Sequence, residues 1–356
     1  SLTAVPRVHP QCEQCGLTRN TKEWRSATAR PPAIPGLSGM MPVFRPLTAP
    51  GIRASTACLD STPGHRTWPM AEHFETGGTA VRPAITIVTA TLNAVEPIAH
   101  TIRSLTDQTL KDFEWIVIDG GSTDGTLTRL RQVAGLSLRC WSEPDDGIYH
   151  AWNTACELAR GQWLLFLGAG DELAAPDVIE RALPLLRTLP GADTMAYGRI
   201  QLIEPGSRRL LEERGASWDE MAGRWTLFRP ELPIHPEVFH RASLFAAGER
   251  FDTRYRFAAD TDFLLRQAAI RPFRQLPLVV TRMEYGGHTG RLPTLRAVSR
   301  ETRAIARDHG YRAPLVHRIQ QHIKLALADL ATHLLPDARI RWLEAGYRRA
   351  RAGWRG

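Results

Sequence analysis

The sequence predicts an α/β protein: a mainly parallel central sheet flanked by helices. Two observations carry this. Short apolar, β-branched runs alternate with helical apolar stripes from residue 84 onward, the pattern of strands joined by right-handed helical crossovers. Four successive runs also end on polar or glycine-rich turns, and the carboxyl ends of strands are where open α/β sheets bind ligands.

The elements follow in order. Ala84 to Ala90 (AITIVTA) is long enough for a buried parallel strand. Thr91 to Ala94 reads as a loop. Pro97 to Gln108 carries Ile98, Ile102 and Leu105 at helical spacing. Phe113 to Asp119 is a second strand ending on a carboxylate, followed by the turn Gly120 to Gly125 and a helix from Thr126 to about Val133. Leu138 to Trp141 is a third strand, Ile148 to Leu158 a helix, and Trp163 to Leu167 a fourth strand. Glycines and carboxylates follow it again: Gly168, Gly170, Asp171 and Glu172. A lone Asp after a strand is ordinarily a turn residue or helix cap. Four polar strand ends in succession point instead to one shared crevice. No G-x-G-x-x-G follows the first strand and no G-x-x-x-x-G-K-[ST] occurs, which excludes a dinucleotide fingerprint and P-loop chemistry.

These motifs resemble family 2 glycosyltransferases with the GT-A fold. The resemblance is carried by Thr86 to Asn93, Val117 to Thr126, Glu143 through Asn153, and Gly161 to Asp171. It continues at His235-Pro236 and from Phe251 to Arg266, covering about residues 84–290. It implies a nucleotide-diphosphate sugar, of UDP or dTDP type, bound by the first half. Thr89, Ala90, Thr91 and Asn93 would lie along base and ribose. Asp119 would accept from a ring N–H, as an acceptor-only carboxylate can. Asp146 and Asn153 would frame the nucleotide. The resemblance implies Mg²⁺ or Mn²⁺, a hard cation with oxygen ligands that bridges two phosphates, with Asp171 at the ligand position. Gly170 stands where the family usually has an acid, and Glu172 is free to point elsewhere. His288, between glycines, is a second candidate for the metal or diphosphate, or a plain surface histidine. His235 would lie near donor sugar and acceptor.

Asp260 matches the family's catalytic base, which takes the acceptor's proton during displacement with inversion. Asp262 lies two residues on, so on a helix the two carboxylates point to different sides. Asp262 suits the helix start, where the dipole favours an anion, and is kept among the substrate-binding candidates. Arg266 is expected in a structural salt bridge. Cys140 and Cys156 read as buried structural thiols.

The flanks differ from this core. Residues 1–79 hold 10 of the 25 prolines and no sustained periodicity, so they are expected to be a low-order extension. Cys12 and Cys15 form a lone CxxC without the second ligand pair a zinc site needs. Met70 stands just before the ordered pattern, and residues 1–69 are expected to be dispensable. Residues 291–356 read as a basic helical extension, with helices expected over 295–309, 316–335 and 338–352 and an apolar stripe of Ile319, Ile323, Leu327, Leu330 and Leu334. The transferase domain is expected over 80–290.

Charge follows the same division. Residues 291–356 hold 14 Lys/Arg against 5 Asp/Glu, a net +9, whereas 80–290 is net −4 within a chain of +8. An acidic centre argues against nucleic-acid binding. The basic tail, with Trp342, Tyr347 and Trp354 among arginines, suits an anionic membrane surface or an ordinary solvated helix. Five scattered cysteines fit a reducing compartment, and no run of about 18 apolar residues suggests a membrane span. The expected location is the cytoplasm, peripheral on the inner membrane face. The leading function is sugar transfer to a glycan or lipid-linked acceptor in cell-surface polysaccharide or glycolipid synthesis. The alternative is a non-catalytic nucleotide-sugar-binding or scaffold protein, motivated by Gly170. A nucleotidyltransferase would need a Gly-rich basic loop after the first strand, and residues 91–97 offer none.

Overall fold

The computed structural model describes residues 72–77, 82–286, 292–334 and 339. The Cys12–Cys15 pair, Met70, His288 and, Arg339 aside, the expected helix over 338–352 lie outside the described residues.

In chain order the elements are β1 (Glu72–Thr76), β2 (Ile85–Thr91), α1 (Ile98–Thr106), β3 (Phe113–Asp119), α2 (Thr126–Arg131), β4 (Leu138–Ser142), α3 (Ile148–Leu158) and β5 (Trp163–Phe166). Then come β6 (Glu172–Leu173), α4 (Val178–Thr188), β7 (Met195–Ile203), β8 (Leu210–Arg214), α5 (Trp218–Met221), β9 (Trp225–Thr226) and β10 (Arg229–Pro230). A single 3-10 turn, His235–Glu237, leads into β11 (Val238–Arg241), α6 (Ala242–Ala246), α7 (Ala259–Ile270), β12 (Arg274–Glu284), α8 (Leu292–Asp308) and α9 (Leu315–Leu334).

One ten-stranded sheet runs β1-β4-β3-β2-β5-β11-β7-β12-β6, with β8 paired to β7. The central block β4-β3-β2-β5 is parallel, as the alternation predicts. β11 inserts antiparallel between β5 and β7, which restores the direction of β7 and of its parallel neighbour β12. Six strands therefore run one way, and β1, β6, β8 and β11 run against them.

Burial explains the central strands. All seven residues of β3 and six of seven in β2 are buried, because helices cover both faces of a parallel block. Ile85, Ile87, Trp115 and Val117 pack with Ile98 and Leu105 of α1 and with Ile179 and Leu183 of α4. Val88, Ile116 and Phe166 pack on the other face with Tyr149 and Trp152 of α3 and Phe263 of α7.

Several elements are not visible in the sequence pattern. β1 (EHFET) is mostly exposed and charged, so no apolar run marks it. It lies inside the expected low-order stretch and pairs antiparallel along β4. β12 contains Pro277, which falls in the register break between Gln275 and Val279, where a missing N–H is tolerated. α4 carries Pro184 within it.

Candidate functional site

The site begins with three neighbours on one rung of the sheet: Thr91, Asp119 and Ser142. Asp119 is fully buried at the end of β3. Its Oδ2 accepts from Gly121 N (3.1 Å), Ser122 N (2.8 Å) and Ser142 Oγ (2.7 Å), and its Oδ1 from Ser122 Oγ (2.5 Å). A carboxylate offers about four lone-pair sites, so the remaining capacity is on Oδ1. The turn is laced to the loop after β2. Asn93, at φ 48°, donates its N–H to Ser122 Oγ (2.7 Å) and accepts Thr123 N on its Oδ1 (2.9 Å). Val95 N and Ala94 N reach Asp124 Oδ2 and Thr126 Oγ1 (3.0 and 2.9 Å). Thr91 Oγ1 is buried without a partner, Ala90 is half-buried, and Asp146 is exposed before α3.

The loop after β5 is built on glycines. A side chain at Gly168 would put its Cβ 2.7 Å from Asp171 Oδ2, so only glycine lets that carboxylate fold back onto the Gly168 N–H (3.1 Å). Gly170 has φ 104°, and a Cβ there would meet Pro97 Cβ at 3.1 Å. An acid at this position would be strained, which accounts physically for the glycine. Thr101 of α1 fixes the loop from below: its hydroxyl donates to Asp171 O (2.8 Å) and accepts Gly170 N (2.9 Å). Burial pushes Asp171 up to about 7, against the pull of the Gly168 N–H. Its Oδ1 has no protein donor among the described residues. Glu172 turns away and pairs with Arg208 (2.6 Å) and His100 (3.3 Å).

Among the described residues no three His, Cys, Asp or Glu side chains cluster as a metal cage. One partly buried carboxylate with a free oxygen does fit a hard cation that takes one or two protein carboxylates and completes its shell with waters and phosphates. Asp171 would be the protein ligand of Mg²⁺ or Mn²⁺ if such a cation binds here.

Asp260 sits in the first turn of α7. Its Oδ1 accepts from Thr261 N (2.7 Å) and from the Tyr149 hydroxyl of α3 (3.2 Å), while Oδ2 has no donor among the described residues. Burial raises its pKa, and the Thr261 N–H, the Arg229 guanidinium and the Tyr149 hydroxyl oppose that rise. The segment entering α7 is held from α8: the Glu301 carboxylate accepts from Arg256 N (3.0 Å), Phe257 N (2.8 Å) and Ala258 N (3.1 Å). Tyr149 lies within the Glu143–Asn153 motif but was given no role from sequence, and Arg229, Glu301 and Thr101 belong to no local motif; each acts across a long stretch of chain.

Four candidates have their polar atoms buried or engaged within the protein. Thr89 is fully buried, donating to Leu167 O (2.8 Å) and accepting from Trp115 Nε1 (2.9 Å), so its hydroxyl is engaged within the core. Asn153 spends both ends of its amide on the backbone of Phe251, at 2.9 Å each. His235 is buried in an aromatic cluster, its ring 4.7 Å from Trp152 and stacked, and neither nitrogen has a partner. Burial lowers it to about 3, so it is neutral, and its ring is enclosed by the cluster. Asp262 is held by Arg266 Nε (3.0 Å) and His309 Nε2 (2.9 Å) and does not join Asp260. Arg266 also pairs with Glu249, the structural role expected of it.

The family model for "Glycosyl transferase family 2" matches residues 86–238. A PGL/p-HBAD biosynthesis glycosyltransferase of Mycobacterium bovis is 33% identical over 187 residues, 52% of this chain and 69% of that one. A putative teichuronic acid biosynthesis glycosyltransferase of Bacillus subtilis is 32% identical over 108 residues, 30% of this chain and 42% of that one. Among solved structures, S. aureus TarS 1-349 is similar with a TM-score of 0.49 at 16% identity, over 75% of this chain and 80% of that one. The chain spans 42% of the longer TarS chain it matches. The chain belongs to glycosyltransferase family 2, and its sheet and flanking helices are those of a GT-A fold.

Proposed function

We propose that the chain is an inverting, divalent-metal-dependent transferase. It moves a sugar from a nucleotide-diphosphate sugar, of UDP or dTDP type, to a hydroxyl of a glycan or lipid-linked acceptor. The observation that carries this reading is Asp260: Oδ1 is fixed by Thr261 and Tyr149, and Oδ2 is left without a donor. A carboxylate raised by burial is better matched to take a proton near neutral pH than an ordinary one. Oδ2 takes the acceptor's proton as the acceptor oxygen bonds to the anomeric carbon. The bond from that carbon to the diphosphate breaks on the opposite face, and the nucleoside diphosphate leaves. Asp119 and the laced loops after β2 and β3 position the nucleotide. Asp171 would hold Mg²⁺ or Mn²⁺, which supplies positive charge for the leaving diphosphate.

The relatives' names favour a place in polysaccharide or glycolipid synthesis. We assign transfer to residues 80–290 together with the edge strand β1, with a dispensable extension over 1–69 and a basic helical one over 291–356. The basic end suits the inner face of a membrane.

A sugar-nucleotide panel with Mg²⁺ or Mn²⁺, read by nucleoside diphosphate release and by the product's anomeric configuration, tests the proposal. Asp171→Ala should abolish turnover, with no rescue by added Mn²⁺. A retained configuration, or turnover indifferent to chelator, would refute the mechanism. Donor binding without turnover for any acceptor would favour the scaffold alternative, which Gly170 motivates.

A further inference from the structure

α9 packs one side against α8 and leaves the other to solvent. Ala328 is buried, and Gln321, Leu325 and Thr332 on its side are half-buried. The opposite face carries Leu315, Ile319, Ile323, Leu327, Leu330 and Leu334, each more than half exposed. At four- and three-residue steps they form one continuous stripe along a 20-residue helix. Single exposed apolar residues are ordinary, whereas a contiguous stripe marks an interaction surface.

The charges beside the stripe select its partner. Arg318 borders one edge and Lys324 the other, and both are exposed. The sole acid of α9, Asp329, is tied to Arg296 of α8. The outer face is therefore apolar between cationic margins, with no free carboxylate. A second copy docked stripe to stripe would set cationic margins against each other with no acid to answer them, and like charges so placed oppose association. Anionic headgroups answer both parts, with acyl chains for the stripe and phosphates for the margins. No helix among the described residues is long and apolar enough to cross a membrane, so such a helix lies in the interface plane.

We propose that α9 is an interfacial helix that docks the protein on an anionic lipid surface. This deepens the membrane side of the proposed function and rests on it only for the location of the acceptor. Vesicle binding and sugar transfer are measured separately, so either can fail alone. Because α8 bonds both the segment entering α7 and α9, the docked helix would lie close in the fold to the Asp260 helix.

The test uses the full chain and phosphatidylcholine vesicles with and without phosphatidylglycerol. The wild type should bind the anionic vesicles and lose binding at high salt. Ile323→Ser/Leu327→Ser/Leu330→Ser should lower partitioning by at least about tenfold, since three apolar insertions are removed. Its melting temperature should hold, because the three side chains are exposed. Arg318→Gln/Lys324→Gln should narrow the preference for anionic over neutral vesicles. Wild-type partitioning in the triple variant would overturn the proposal. So would a wild-type dimer, seen by sedimentation velocity, that dissociates in the triple variant, because the stripe would then be an interface between copies.

Discussion

The turn after β3 and the first turn of α7 each present a carboxylate, and they hold it in opposite ways. Asp119 takes four donors, three of them from Gly121 and Ser122 within three residues and the fourth from Ser142 on the next strand. Asp260 takes one local N–H and a hydroxyl from 111 residues away. The first carboxylate is nearly saturated, so its work is to fix the loop that surrounds it. The second keeps an oxygen open while burial makes it more basic. A loop that holds a shape and a group proposed to move a proton call for different numbers of donors.

The strongest way to break this contrast is Asp260→Asn. It preserves size but cannot accept a proton, so transfer should fall about 10²–10⁴-fold, the ordinary worth of general base catalysis. Donor binding, measured by calorimetry, should persist. Equal losses of binding and rate would mean that Asp260 shapes the pocket and does no proton transfer.

Asp119→Asn attacks the other side. One acceptor oxygen becomes an NH₂ facing donors in a buried place, which costs about 1–3 kcal/mol. The melting temperature should drop and donor affinity with it, while kcat at saturating donor stays near wild type. A collapse of kcat with unchanged stability would make Asp119 a participant in the chemistry.

How far the sequence shows this site follows from the range of its interactions. The Asp119 turn was legible because its glycines, serine and carboxylate are neighbours in the chain. The motif marks Asp260 as a candidate, but it gives Tyr149 no partner and leaves Arg229 and Glu301 unmarked, since nothing local shows that a tyrosine will meet a carboxylate 111 residues away on the same face of the sheet. Thr89 shows a signal present but unused. It alternates with Ile85 and Ile87, so period two already places it on their packed face. His235 carried no such signal; only the folded aromatic cluster shows that its ring is enclosed.

Glu301→Ala sharpens the comparison by acting on Asp260 at a distance. Glu301 is a positioning residue: it bonds three successive N–H groups ahead of α7 and touches no substrate. Loosening that segment should cost kcat about tenfold, equivalent to about 1.4 kcal/mol, with donor KM unchanged. A rise in KM without loss of kcat would place Glu301's effect on the nucleotide side instead.

The smallest effect belongs to Asp262, two residues from Asp260 on the same helix. Burial works to raise its pKa, but hydrogen bonds from His309 and Arg266 and their charges outweigh it, and the carboxyl is held below its ordinary value. A carboxyl whose folded pKa is depressed contributes stability that is fully present above its unfolded pKa of about 3.9. That contribution is lost as pH falls through the lower folded value. Asp262→Asn should therefore be less stable than wild type at neutral pH, by about 1 kcal/mol after burial offsets part of the pairing. The two denaturation midpoints should converge as pH is lowered below about 4. Transfer at neutral pH should stay within a few-fold of wild type, because Asp262 supports the helix without facing the crevice. If Asp262→Asn instead lost more activity than Asp260→Asn, the base would be Asp262. The two carboxylates of α7 would then have exchanged the roles that their hydrogen bonds suggest.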